Sequence, residues 1–201
     1  MIMTVSTDYP VHEFIAGRWS PYAFDEKSVE KEDLLSLFEA ARWAPSSYNE
    51  QPWHYIVATK DNAEEFERLV SCLVEGNQAW AKSAPVLALG IAKLNFVYNN
   101  KPNRAAIHDL GLAAGNLIFE ATARGLYVHQ MIGILPQRAC EIYAIPEGYE
   151  VMTGIAIGYV GNPNSLPDDI KERDAARRPR KPLSEFIFGG SWGTVSPLVK
   201  K

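Results

Sequence analysis

A continuous apolar run, PVLALGIA at residues 85–92, constrains the fold of this chain more than any other feature. A strand with one face in water alternates apolar and polar residues, whereas this run contains no polar side chain. The run is also far shorter than the roughly 20 residues that a membrane-spanning helix needs. It therefore predicts a strand that is buried on both faces and lies centrally in a sheet.

Segments with helical spacing flank this run. In EDLLSLFEAARWA, apolar residues recur at the i, i+3, i+4, i+7 positions of an amphipathic helix. We expect the Gly76-Asn77 pair to break the chain after a second helix, and Gly125 to end a third. The predicted helices span residues 32–44, 61–75 and 104–124, and a short one begins at Pro136.

Further β-branched and aromatic runs predict strands at residues 53–59, 126–133 and 151–160. Strands and helices then alternate, as in an α/β or α+β layered domain. Beyond Gly161 the chain is rich in proline and charge, so we expect a loop or surface tail, followed by EFIFGG as a possible edge strand. No repeat or second core is evident, which predicts a single domain over residues 1–201 with its core at about 14–190.

Charge and composition exclude several functional classes. The formal net charge is −4 and 47% of the residues are hydrophobic, which argues against disorder and against a nucleic-acid or anionic-membrane partner. Two cysteines and four histidines show no metal-binding or disulfide spacing, so no metal site is expected. The first residues lack the pattern of a secretory signal, which favours a soluble cytoplasmic protein.

A polar turn, PSSYNEQ, precedes the predicted strand WHYIVAT. Its hydroxyls and amides could simply satisfy backbone groups of the turn. The same groups also suit a flat heteroaromatic ligand with several carbonyls and ring nitrogens. Another predicted strand ends in a segment where backbone N–H groups can face a ligand. This segment consists of Gln130, Met131, Ile132 and Gly133.

Two basic segments are candidates for an anion site. The run ARRPRKPL contains Arg177, Arg178, Arg180 and Lys181, and RWS places Arg18 two residues from Ser20. The tail could be a solvated surface balanced by the acids before it. Alternatively, planar guanidinium groups could bind one phosphate dianion, with the neighbouring prolines limiting the entropy lost on binding.

Taken in order, RWSPYAF, PSSYNEQPWHYIV, GNQAWAKSAPVL, GLYVHQMIGI, IAIGYVG and RRPRKPL resemble the successive motifs of the nitroreductase family of flavin enzymes. The resemblance runs from Arg18 to about residue 183. It implies an α+β fold with a central, mostly antiparallel sheet, an intertwined homodimer, and FMN bound tightly at the subunit interface.

The resemblance also assigns residues. It implies a phosphate and ribityl site from the RWSPY segment and the basic tail, a partner-supplied wall from the polar turn, and a ring-lining strand end, with Gln78 at the side of the flavin. The residues so assigned are Arg18, Trp19, Ser20, Tyr22, Pro45, Ser46, Ser47, Asn49, Gln78, Gln130, Met131, Ile132, Gly133, Arg178 and Arg180. The backbone N–H near Ile132 is expected to face flavin N5.

In such enzymes the flavin carries the chemistry, so no catalytic side chain is assigned. The implied reaction is a ping-pong hydride transfer from NAD(P)H to a nitroaromatic, quinone or similar acceptor. Alternatives are a flavin-dependent dehydrogenase or dehalogenase of one metabolite, and a flavin-binding dimer without catalysis. Tyr22 stands where relatives often have a basic residue, and Ile132 where several have an acid or glycine. The short segment after residue 92 implies a short lid and an open pocket.

Overall fold

A computed structural model describes residues 5–176 and 179–199 and shows there a sheet of four antiparallel strands between helices. The strands are β1 (Trp53–Thr59), β2 (Val86–Lys93), β3 (Tyr127–Met131) and β4 (Tyr149–Gly158). Their spatial order is β1-β2-β4-β3. The mixed helical and antiparallel architecture confirms the α+β expectation.

Seven helices surround the sheet within the described residues. They are α1 (Glu13–Gly17), α2 (Lys31–Arg42), α3 (Ala63–Val70), α4 (Glu75–Ala81), α5 (Ala106–Ala123), α6 (Pro136–Tyr143) and α7 (Asp168–Ala175). The positive φ of Gly125, +71°, confirms the predicted end of the long helix α5. In the parts of the chain that the structure describes, no helix is long and apolar enough to cross a membrane.

Strand β2 lies inside the sheet and is buried on both faces, as its apolar sequence predicts. Val86 and Ala88 pack with α2 and α5, whereas Leu87 and Leu89 pack with α3 and α4 on the opposite face. The alternation of side chains along a strand explains this division. Two apolar layers therefore hold the sheet, one on each side of β2.

The predicted break at Gly76-Asn77 is wrong. Helix α3 ends at Val70 instead, because Cys72 and Leu73 turn into the core and become fully buried. Gly76 then lies in the first turn of α4, where its missing side chain leaves open space and costs little. The burial of Trp80 and Ala81 stabilises this helix more than the glycine weakens it.

The C-terminal segment also differs from expectation. It contains α7, a helix that the sequence analysis treated as loop, with Asp168 and Asp169 favourably placed in its first turn. EFIFGG does not extend the sheet, since Phe188 forms only an isolated bridge to Val195. Gly190 and Gly193, both with positive φ, close this segment into a small local turn.

Tyr55 of β1 carries a buried hydroxyl that has no hydrogen-bond partner among the described residues. A buried hydroxyl without a partner costs about 1–3 kcal/mol. We expect Tyr55→Phe to raise the free energy of unfolding by about 1 kcal/mol, because the ring keeps its packing on Phe38, 5.1 Å away. Denaturant unfolding at neutral pH measures this, with the exposed Tyr9→Phe as the neutral control.

The same burial raises the pKa of Tyr55 from 10.0 to about 12. The folded protein therefore holds this proton at pH values where the unfolded chain has lost it. The contribution of the Tyr55 proton to the free energy of unfolding is constant well below pH 10. It falls as the pH rises from 10 toward 12. Tyr55→Phe should flatten the decline in that window. A Tyr55→Phe protein that is less stable at neutral pH would show that the hydroxyl is satisfied.

Candidate functional site

A cleft of about 320 Å³ opens where the end of β3 meets α5. Gln130, Met131 and Ile132 line it from the β3 side, as the sequence analysis expected of a ligand-facing strand end. The opposite walls come from α5 and β4 and are mostly apolar, comprising Ile107, Leu110, Gly111, Ala114, Met152 and Thr153. An apolar cleft with few polar groups is the usual form of a site for a flat organic ligand.

Ile132 presents its backbone at the edge of this cleft. Strand β3 ends at Met131, so Ile132 lies beyond the paired strand residues, and Ile132 is 85% exposed. Gly133 is not among the residues that line the cleft. Its carbonyl accepts hydrogen bonds from the Val74 N–H (3.1 Å) and from Asn77 Nδ2 (2.9 Å).

Gly133 fixes the end of β3 against α4. A Cβ at this position would lie 2.4 Å from Asn77 Nδ2, so a larger residue would displace the Asn77 side chain and break its hydrogen bond. Gln78, on the same helix, donates from Nε2 to the Leu73 carbonyl at 2.7 Å. The structure therefore places Gln78 on α4, where it binds the connection that precedes this helix, and not on the cleft wall.

The segment from Arg18 to Tyr22 runs beside β3. Arg18 Nη1 lies 3.3 Å from Ser20 Oγ, and both residues are half-buried. The Trp19 ring contacts the edge of Tyr127 with centroids 6.3 Å apart. The segment therefore contacts the first residue of β3 through Trp19, and the cleft lies at the last residue of the strand.

Tyr22 contributes to the core. Its ring packs edge-on against Trp80 (5.0 Å) and His129 (4.6 Å), and its N–H donates to Asp174 Oδ1 at 2.6 Å. His129 Nδ1 also lies 2.8 Å from the Pro21 carbonyl, which joins the segment to β3. Tyr22 therefore occupies a packing position.

The contact between Tyr22 and Asp174 brings the C-terminal tail to the Arg18 segment. Asp174 belongs to α7, six residues before Arg180 in the chain. Arg180 is exposed, whereas Arg177 and Arg178 lie outside the described residues. The hydrogen bond from Tyr22 to Asp174 therefore joins α7 to the segment that begins at Arg18.

The polar turn at residues 45–51 adopts an unusual backbone. Tyr48, Asn49 and Gln51 all have positive φ, at 54°, 56° and 50°. This conformation is rare for an aromatic residue, and such strain is concentrated at functional sites. The Ser46 hydroxyl accepts a hydrogen bond from the Gln51 N–H at 3.0 Å. Ser46 therefore stabilises the turn, as one of the two sequence interpretations allows.

The rest of the turn stays accessible. Ser47 is half-buried, and Pro45 and Asn49 are exposed. The Ser47 N–H donates to Asp109 Oδ2 at 2.9 Å, which attaches the turn to α5. No residue of the turn lines the cleft, so one chain does not bring these two candidate walls together.

An aromatic group beside the turn was missed by the sequence analysis. The ring of Tyr48 lies 5.8 Å from Phe96 and 6.3 Å from Tyr98, whose own rings are 5.4 Å apart. Phe96 and Tyr98 belong to a short hairpin closed by a bridge between Asn95 and Pro102. The asparagines of NFVYNNKPN are the turn signals that could have revealed it.

A scan of protein families matches residues 15–159 to the nitroreductase family. The chain belongs to the nitroreductase family. This match confirms the family, the fold and the enzyme class, an oxidoreductase, that the motifs imply. A solved structure of an oxidoreductase containing FMN is similar to this nitroreductase, with 39% identity and a TM-score of 0.88, covering 94% of this chain and 98% of the other.

Two further proteins are more distant relatives of this chain. Nitroreductase NfnB of Mycolicibacterium smegmatis is 28% identical, over 90% of this chain and 93% of the relative. The major NAD(P)H-flavin oxidoreductase of Aliivibrio fischeri is 25% identical, over 75% and 88% of the two chains. The likeness therefore extends over most of each protein.

Proposed function

We propose that this nitroreductase is an FMN-dependent enzyme that oxidises NAD(P)H and reduces small aromatic acceptors, as a homodimer in the cytoplasm. The observation that carries the proposal is the layout of β3. A strand rises about 3.3 Å per residue, so the four steps from Tyr127 to Met131 span about 13 Å. The segment that carries Arg18 and Ser20 contacts the strand at one end of this distance, through Trp19, and the apolar cleft lies at the other end. This arrangement suits a molecule with a phosphate, a ribityl chain and a flat ring.

The residues present fit FMN in their chemistry. Arg18, Ser20, Arg178 and Arg180 would bind the phosphate, since guanidinium groups donate to phosphate oxygens in pairs. Gln130, Met131 and the backbone at Ile132 would hold the ring. The solved structure of the FMN-containing oxidoreductase supports this choice of cofactor. Trp19 and Tyr22 would support the segment by packing, and Gly133 and Gln78 would support the strand end and the adjacent helix connection.

A partner subunit completes the proposed site. The turn carrying Ser46, Ser47 and Asn49 does not line the cleft of its own chain, so we propose that it contacts the flavin of the partner. Large apolar side chains exposed on α5 and the C-terminal segment support a homodimer, since extended apolar surface marks interfaces. They include Ile107, Leu112, Phe119, Phe186, Trp192 and Leu198. Sedimentation equilibrium should give a mass twice that of the 22.4 kDa chain.

When bound, FMN would supply the redox chemistry of hydride transfer between NAD(P)H and an acceptor. The chain would position the flavin and shield it from water. The apolar walls at Leu110 and Met152 would exclude water from a ring held in the cleft, and the Ile132 backbone would offer that ring a hydrogen-bond donor. One open cleft implies that NAD(P)H and the acceptor bind in turn.

Steady-state kinetics test the proposed reaction. Initial rates with NADH or NADPH, measured against a nitroaromatic, a quinone and an enone, should give the parallel double-reciprocal lines of a ping-pong mechanism. Oxidation of neither nicotinamide would contradict the reductase proposal. If the protein binds FMN and never turns over, the flavin-binding dimer explains it, and turnover of one metabolite alone indicates a dedicated dehydrogenase or dehalogenase.

The aromatic cluster of Tyr48, Phe96 and Tyr98 supports an aromatic acceptor. Tyr98 is 64% exposed, so its ring can stack on a flat substrate held beside the polar turn. Tyr98→Ala should raise the KM for a nitroaromatic or quinone about threefold to tenfold, because an aromatic pair contributes about 0.5–1.5 kcal/mol. The KM for NAD(P)H and the FMN content should not change.

The adjacent Val97→Ala is the matched control, since Val97 is similarly exposed, at 69%, on the same hairpin but is not aromatic. Tyr98→Phe should behave as wild type, since stacking needs the ring and not the hydroxyl. Equal KM values for Tyr98→Ala and Val97→Ala would show that the cluster does not bind the acceptor.

A further inference from the structure

Two buried carboxylates each accept a hydrogen bond from the backbone of a distant segment. Among the described residues, Asp109 and Asp174 are the acidic residues that are more than nine-tenths buried, with 3% and 6% exposure. Aspartate is almost never buried to this extent unless its charge is paired or hydrogen-bonded. Each of these side chains accepts a hydrogen bond from the backbone of a segment proposed to bind FMN.

Asp109 holds the polar turn. Its Oδ2 accepts from the Ser47 N–H at 2.9 Å, and its Oδ1 lies 3.1 Å from Nδ1 of the exposed His108. The residues that follow Ser47 adopt the left-handed backbone, which needs support from its surroundings to persist. Helix α5 therefore fixes the turn through one buried carboxylate.

Asp174 holds the other segment in the same way. Its Oδ1 accepts from the Tyr22 N–H at 2.6 Å, across 152 residues of chain. This contact joins α7 to the segment that carries Arg18 and Ser20. It also sets where the tail leading to Arg180 leaves α7.

We infer that Asp109 and Asp174 are positioning residues that set FMN affinity without touching the flavin. Asp109 fixes the backbone of the turn that supplies Ser46, Ser47 and Asn49. Asp174 fixes the segment that carries Arg18 and Ser20 against α7. Charge-assisted hydrogen bonds from backbone N–H groups are short and directional, so they define the position of a segment closely. The inference rests on the proposed FMN site.

FMN titration of the apo dimer tests the inference, with quenching of flavin fluorescence as the signal. Asp109→Ala and Asp174→Ala should each raise the Kd for FMN about tenfold. Asp109→Asn and Asp174→Asn should restore most of the affinity, since an amide oxygen still accepts from the same N–H. Asp33→Ala is the matched control, because it removes an aspartate bonded to Arg124 at 2.7 Å, away from these segments.

Amide hydrogen exchange of the apo protein reports on the same contacts without flavin. The Ser47 and Tyr22 amides should be protected in the wild type and exchange faster in the corresponding Ala variants. Unprotected amides in the wild type, or Ala variants with lowered Tm and unchanged FMN affinity, would overturn the positioning role. A wild-type protein that does not bind FMN would instead contradict the proposed function. The inference, which rests on that function, would then also be wrong.

Discussion

Gly161→Ala should lower the free energy of unfolding by about 3 kcal/mol, the upper end of the usual cost of overpacking. A Cβ at residue 161 would lie 2.4 Å from the carbonyl carbon and oxygen of Phe24. These are backbone atoms, and two hydrogen bonds hold them in place, from Gly161 N–H to the Ala23 carbonyl and from Asp25 N–H to the Tyr159 carbonyl, each 2.9 Å. The contact cannot be relieved without separating the two chain segments.

The substitution should also weaken FMN binding, because the same crossing anchors the segment that carries Arg18. Denaturant unfolding and FMN titration measure the two effects. Gly76→Ala is the control, since an added Cβ there meets nothing within 4 Å and alanine favours the helix. If Gly161→Ala unfolds at the same denaturant concentration as Gly76→Ala, the close crossing is not present in solution.

Arg180→Ala and Arg18→Ala should each raise the Kd for FMN by about tenfold to a hundredfold. The range follows from the 1.5–3 kcal/mol contribution of a hydrogen bond to a charged group, at 1.4 kcal/mol for each factor of ten. Lysine should restore little, because an ammonium group lacks the paired donors of guanidinium. Equilibrium dialysis of apo protein against FMN gives the Kd values directly.

Arg173→Ala separates geometry from net charge. Arg173 is exposed in the last turn of α7, in the same tail as Arg180, so its loss changes the local charge equally. We expect its Kd for FMN to stay within about twofold of wild type, since exposed charges at a distance are screened. Equal weakening by Arg173→Ala and Arg180→Ala would mean that the tail acts through a diffuse field and not as a phosphate site.

The parts of the fold that the sequence predicted are those where burial follows a simple period. Strand β2 and the long helix α5 were both evident from apolar patterning and from Gly125. The α3 to α4 connection was not, because the turn at residues 71–74 is caused by tertiary burial of Cys72 and Leu73. Local glycine signals favoured Gly76 instead, and tertiary packing overrode them.

The sequence indicated which residue types form the candidate site. It did not indicate which buried residues hold them in place. Ser46, Gln130 and Arg18 stood out because polar or charged groups cluster around them in the sequence. Asp174 lies in an acidic stretch and Asp109 is an isolated acid in a helical segment, and neither pattern distinguishes a buried carboxylate from an exposed one. The aromatic contact between Tyr48 and Phe96 depends on a hairpin and a left-handed residue, which only the three-dimensional fold brings together.

The most direct test of the account is the binding of FMN by the purified protein, followed by anaerobic addition of NADH or NADPH. The account predicts a yellow protein that holds one FMN per chain, and whose visible flavin absorption is bleached by at least one of the two nicotinamides and restored by a quinone. A colourless protein that fails to take up added FMN would contradict it.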